Sequence, residues 1–120
     1  MNAIDADDTL AIVMTALPDE AQARALAQAI VAAGLGACVQ RHAARSSYVW
    51  QGAMHDEAEW VLSIKTARSR FDALAAFIRA RHPYELPEIV MLPLLRVSAD
   101  YQRWVLDAVR SGTAGKRKYS

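Results

Sequence analysis

The spacing of apolar positions changes repeatedly along this chain, and each change marks an element. Leu10-Ala11-Ile12-Val13-Met14-Thr15 is a short apolar run followed by turn residues, the pattern of a buried strand. Pro18-Asp19 opens a helix, with Asp19 placed to cap it and Gln22 placed to answer as in a capping box. Ala23, Leu26, Ala27 and Ile30 then repeat at i, i+3, i+4 and i+7, while Glu20, Arg24 and Gln28 form the wet face. Gly34 is a natural left-handed stop. Ala37 to Trp50 reads as one long or bent strand of mixed polarity, and Gln51-Gly52 as a turn. From Ala58 to Thr66 the alternation is strict: Trp60, Leu62 and Ile64 on one face, Glu59, Val61, Ser63 and Lys65 on the other.

Ser69 and Asp72 are placed to cap a second helix with an inner stripe of Phe71, Leu74, Ala75 and Ile78. Ile89-Val90-Met91-Leu92, closed by Pro93, reads as another buried strand. Ser98 is placed to cap a last helix with the stripe Tyr101, Trp104, Val105 and Ala108. The order β-α-β-β-α-β plus a terminal helix predicts an α+β, ferredoxin-like antiparallel sheet with helices on one face. Such a sheet has an open face and two edges, which points toward an oligomer. The division expected is a solvated leader over 1–8, one domain over 9–111 and a flexible basic tail over 112–120.

Between the second helix and the last strand lies His82-Pro83-Tyr84-Glu85-Leu86-Pro87-Glu88. The two prolines push His82 and Leu86 into extended conformations and stiffen the connector. A stiff loop with an imidazole, a phenol and two carboxylates is a place where a scaffold presents function, although a solvated linker has the same composition.

Composition narrows the classes. A chain of 120 residues with 53% hydrophobic content and mean hydropathy +0.03 suits one packed domain. A net charge of +1 supplies no field to recruit nucleic acid or an anionic membrane. The single cysteine, Cys38, suits a reducing, cytoplasmic setting. The acidic start carries no apolar signal segment, and no apolar run approaches the ~20 residues of a membrane helix.

The chain also resembles a known family. Thr15-Ala16 with Pro18-Asp19-Glu20, then Gly36-Ala37-Cys38-Val39, Ser47-Tyr48 with Trp50 and Gly52, Glu59, Lys65-Thr66, His82-Pro83-Tyr84-Glu85 with Pro87-Glu88, and Tyr101 with Trp104 follow the order found in CutA divalent-ion (copper) tolerance proteins. The resemblance runs from about Leu10 to Ala108. It implies a tight homotrimer with a long hairpin reaching to neighbours, similar in architecture to PII signalling proteins, and a role in copper tolerance without a defined reaction. There are departures. Leu17 is an insertion in the usual Thr-Ala-Pro-Asp run, and Gln40 stands where Asn is common. Met14 and Arg81 stand where some copper-binding relatives have Cys and His.

Cys38, between Ala37 and Val39, reads first as a small buried apolar residue. His42 and His55 lack metal-ligand spacing and read as exposed. Glu59 and Lys65 share a strand face but lie ~20 Å apart at ~3.3 Å per residue, so each needs a partner from elsewhere. Lys65 meeting Glu85 or Glu88 at a subunit seam is the reading that satisfies both charges. The expected ligand pocket is therefore Cys38, Glu59, Lys65, Tyr84, Glu85 and Glu88. Tyr48, Trp50 and Trp104 are assigned to core and interface. For metal, His82 with Glu85 or Glu88 forms a partial site, which predicts weak binding of copper or another divalent cation and no required cofactor. Phosphate-loop, dinucleotide and RNA-recognition signatures are absent. A trimeric binding or signalling protein is favoured over an unrecognised enzyme using His82, Glu85, Glu88 or Cys38, and over a pure scaffold.

Overall fold

A computed structural model describes residues 9–110, so the expected leader and tail lie outside the described residues. The elements are β1 (Leu10–Leu17), α1 (Glu20–Ala32), β2 (Cys38–Trp50), β3 (Ala53–Ala67), α2 (Phe71–Arg81), β4 (Val90–Pro93) and α3 (Ala99–Arg110). The strands form one antiparallel sheet in the order β2-β3-β1-β4, which is the ferredoxin-like arrangement expected.

Helix α1 begins as its sequence dictates. Asp19 Oδ1 accepts from the Gln22 backbone N–H at 2.8 Å, and the Gln22 amide returns to Asp19 Oδ2 at 2.7 Å. Both bonds hold the Asp19 carboxyl below the usual carboxylate range. Ala23, Leu26, Ala27 and Ile30 are all buried, and Gly34 takes φ 73° just beyond the helix. The expected capping box at Ser69 and Asp72 does not form. A short 3-10 turn over Arg68–Arg70 leads into α2 with no side-chain cap. There the packing of Leu74 and Ile78 into the core replaces a local cap.

One core lies between α1, α2 and the sheet, where Val13, Leu17, Leu62, Ile64, Ile30 and Ile78 meet. A second, smaller cluster forms where α3 crosses one end of the opposite face, over the paired residues Leu10 and Ala67. Its buried helix residues are Val105, Leu106 and Val109, while Tyr101 and Trp104 pack half-buried at the margin. The expected stripe is thus turned by about one position, because α3 covers a corner of the sheet rather than its middle.

Two further differences concern the open face. Strand β4 is not a buried run: Met91 packs inward, but Val90 and Leu92 are 44% and 47% exposed on the uncovered side of an edge strand. Strand β3 begins at Ala53 rather than Ala58, so the hairpin is longer than the alternation alone indicates. Its turn is tight, with Gln51 at φ 51° and Gly52 at φ 80°, the left-handed pair of a two-residue hairpin turn. Strand β1 pairs with β3 only from Trp60 to Ala67. Beyond that point, Ala44–Trp50 and Ala53–Glu59 have only each other, and the hairpin projects as a two-stranded arm.

Candidate functional site

Direct partners in an antiparallel ladder share a face, so the register places the site residues without further assumption. Ala16 lies opposite Val61, Ala44 opposite Glu59, Ser46 opposite Glu57 and Tyr48 opposite His55. All stand on the face that α1 and α2 leave open. At the root of the arm this face meets the proline loop, and the angle between them is an open cleft of about 590 Å3. The arm supplies Ser46, Tyr48, Val49 and Trp50, and the sheet supplies Ala16 and Glu59. The loop supplies Pro83, Tyr84, Glu85, Leu86 and Glu88.

The loop is tied down through His82 and Tyr84. The backbone N–H of Tyr84 donates to His82 Nδ1 at 3.1 Å, so that nitrogen is an acceptor. The ring proton therefore sits on Nε2, which donates to the Ala16 carbonyl at 2.8 Å. Burial is the main cause that lowers the His82 pKa; the Ala16 bond and the Glu59 charge oppose it. The Tyr84 hydroxyl donates to Glu59 Oε2 at 2.7 Å. Burial first, then Glu59, pushes the Tyr84 phenol far above its ordinary value, so it stays a donor. Glu59 is only 8% exposed, and among the described residues Tyr84 is the one hydrogen-bond partner of its carboxylate. At the outer end Tyr48 stacks on His55 with ring centroids 5.2 Å apart and donates to Glu57 at 3.0 Å.

Of the residues expected to form a pocket, Glu59, Tyr84, Glu85 and Glu88 come together in this cleft. Cys38 and Lys65 do not join them within the chain. They face each other at the other end of the sheet, where Lys65 Nζ donates to Gln40 Oε1. Strand length separates them from Glu59, as the rise per residue requires. Cys38 is half-buried on the open face rather than sealed in the core. Tyr48 and Trp50, assigned to an interface, line the cleft, whereas Trp104 packs against Tyr101 on α3 itself, at the margin of the smaller cluster.

The metal reading at His82 meets a different arrangement. Both ring nitrogens are engaged, so a metal ion would have to displace Tyr84 N–H or the Ala16 carbonyl. Among the described residues no group of three His, Cys, Asp or Glu side chains is placed to hold a metal ion. Within one chain Glu85 and Glu88 line the cleft wall. The part of the site that sequence reasoning missed is the Ala16 carbonyl, for which side-chain pattern offers no signal, and the pairing of Glu59 with Tyr84.

The same span of chain that builds both walls of the cleft matches a known family. Residues 11–108 fit the family described as CutA1 divalent ion tolerance protein. The chain belongs to the CutA1 family. It is 35% identical over 103 residues to the divalent-cation tolerance protein CutA of Escherichia coli O45:K1, covering 85% of this chain and 92% of that one. Against the protein of the same name from Pectobacterium atrosepticum the identity is 36% over 104 residues, covering 86% and 94%. Among solved structures, CutA from Synechococcus elongatus PCC7942 superposes with a TM-score of 0.82 at 38% identity, covering 85% and 91%. CutA1 from Oryza sativa gives 0.82 at 32% identity, covering 86% and 97%. The matched residues span the hairpin arm and the proline loop of this chain. Among the described residues, no helix of this family member is long and apolar enough to cross a membrane.

Proposed function

We propose that this CutA1 chain acts in divalent-ion tolerance, chiefly toward copper, as a non-enzymatic cytoplasmic homotrimer that binds metal or a small ligand in clefts at its subunit seams. The observation that carries the reading is the arm. A two-stranded hairpin is marginal alone in water, and this one exposes Val49 at 65% and Met54 at 82% near its tip. A second copy packed against it, and against Val90 and Leu92 on the open sheet face, would bury what the chain itself leaves wet. Trimerisation of this kind is a closed set of heterologous contacts, burying on the order of 800 Å2 or more per partner. The cleft runs from Glu59 at the root of the arm toward Trp50 beside its turn, so each arm that reaches a neighbour brings a cleft to the seam. Cys38 and Lys65 reach a cleft, on this reading, only from an adjacent copy.

A binding role suits the chemistry better than catalysis. His82 has both nitrogens committed to holding the loop, and the Tyr84 phenol is held protonated. Metal binding at the seam is weak on this reading and does not hold the assembly together. Light scattering on chelator-treated protein at micromolar concentration tests the assembly. The mass should be that of three 13.2 kDa chains with or without chelator. A single-chain mass, or a trimer that dissociates in chelator, would contradict it.

A further inference from the structure

The proposed function leaves open what the cleft takes, and its walls narrow the class. Three aromatic side chains line it, Tyr48, Trp50 and Tyr84, together with three carboxylates, Glu59, Glu85 and Glu88. Among the described residues of a single chain no lysine, arginine or histidine lines it, and a Lys65 reaching in from an adjacent copy would still leave the three carboxylates in excess. Glu59 is the informative member. It is 8% exposed, and its Oε1 accepts no hydrogen bond from the described residues while Oε2 is held by Tyr84. The Tyr84 hydroxyl is already spent on Oε2, and Oε1, which is not sealed from solvent, is the atom that a group in the cleft can meet.

A bare metal ion is a poor fit. The carboxylates are spread along the wall, and the described residues hold no cluster of three ligand side chains. The volume of about 590 Å3 lies within the ~300–1,000 Å3 of small-molecule sites and is far larger than a coordination sphere needs. A positive charge carried on a flat or apolar body uses the whole surface. The charge can face Glu59 and the aromatic π-faces, while the body lies along Trp50, Val49 and Leu86. We propose that the cleft binds an organic cation, an ammonium or guanidinium on a short apolar or aromatic body. This rests on the ligand-binding reading above and specifies its ligand class.

The test is an NMR titration of the full-length protein in its native assembly, following backbone amides and indole N–H signals. Benzylamine, protonated at pH 7, is compared with neutral benzyl alcohol, and separately with Cu2+ and Zn2+. Benzylamine should give saturable shifts at Tyr48, Trp50 and Tyr84, and benzyl alcohol at the same concentration should not. Trp50→Ala should weaken benzylamine binding about tenfold by removing the ring along which the ligand's body lies. Glu59→Gln keeps an acceptor for Tyr84 and should also weaken it. The double change Glu85→Gln with Glu88→Gln alters exposed loop positions only, so it lowers affinity without putting the fold at risk. Equal shifts from benzyl alcohol would overturn the charge requirement. Metal ions that move the same signals and displace benzylamine would overturn the ligand class and leave the binding reading standing. No shift at these residues with any probe would overturn both.

Discussion

On the face covered by α1 and α2, β3 presents Trp60, Leu62 and Ile64, and β1 answers with Leu17, Thr15 and Val13. On the opposite face the same strands present Val61, Ser63 and Lys65 against Ala16, Met14 and Ile12. The backbone and the ladder are shared, yet one face is sealed by helices and the other is sealed only at the end where α3 lies. The covered face carries the stability of the single chain. The open face holds the half-exposed Val90 and Leu92, the charged and thiol side chains, and the cleft. A sheet needs only one covered face to fold, which leaves the other available for association and binding.

The sharpest way to test this division is to cut a side chain from each face. Leu62→Ala opens a cavity in the sealed core and should cost about 2–5 kcal/mol in denaturant unfolding. Ser63→Ala, its neighbour on the open face, should stay within about 0.5 kcal/mol. Similar costs at the two sites would erase the distinction. The sealed side also resists growth. A Cβ at Gly36 would stand 2.7 Å from Ile64 Cγ2, so Gly36→Ala should cost about 1–3 kcal/mol, read by the same unfolding curves.

The next test lies on the cleft. Tyr84→Phe removes the hydroxyl that serves Glu59 and leaves a carboxylate at 8% exposure without its donor. A loss of about 1–3 kcal/mol is expected, and Glu59→Gln with Tyr84→Phe together should lose less than the separate losses summed. Strict additivity would mean that the two groups do not act as a pair.

A smaller effect of opposite sign belongs to Thr15. Its hydroxyl is fully buried on the covered face, and its oxygen finds no hydrogen-bond partner among the described residues. Thr15→Val keeps the shape, removes the unsatisfied group and should raise stability by about 1 kcal/mol. A decrease would show that the oxygen has a partner in solution.

The smallest effect is on pH. His82 in the fold has a pKa below its ordinary 6.5, chiefly through burial. Unfolded protein therefore takes up the proton first, so the contribution of neutral His82 is full above about 6.5 and is lost as pH falls below it. Protonation at Nδ1 also forfeits the bond from Tyr84 N–H. His82→Gln should flatten the stability–pH curve below 6.5, and an unchanged slope would remove His82 from the acid response.

The same comparison explains how much could be read from the residues alone. Covered elements were legible because burial on one side imposes a period. The stripe of α1, its Asp19 cap and the alternation of β3 all hold. Legibility fails where no core enforces the pattern. The arm from Ala53 to Ala58 lacks a core to set its periodicity, and the exposure of Val90 and Leu92 depends on which face the helices choose. At the site, Glu59, Tyr84, Glu85 and Glu88, which residue type alone singles out, share the wall of one cleft, while Cys38 and Lys65 do not reach it within the chain. Their partners were not legible. The Ala16 carbonyl is backbone, and the Glu59–Tyr84 bond joins residues 25 positions apart through the fold of the loop.

Whether other copies of the chain complete the open side of this sheet is read by amide hydrogen exchange along the arm. Amides of Ala44 to Val49 and Met54 to Ala58 pair only within the two-stranded arm. If neighbours pack against it, these amides should be protected nearly as well as those of β1, and dilution should remove that protection together with the trimer. Rapid exchange throughout the arm at high protein concentration, beside a protected β1, would contradict the account.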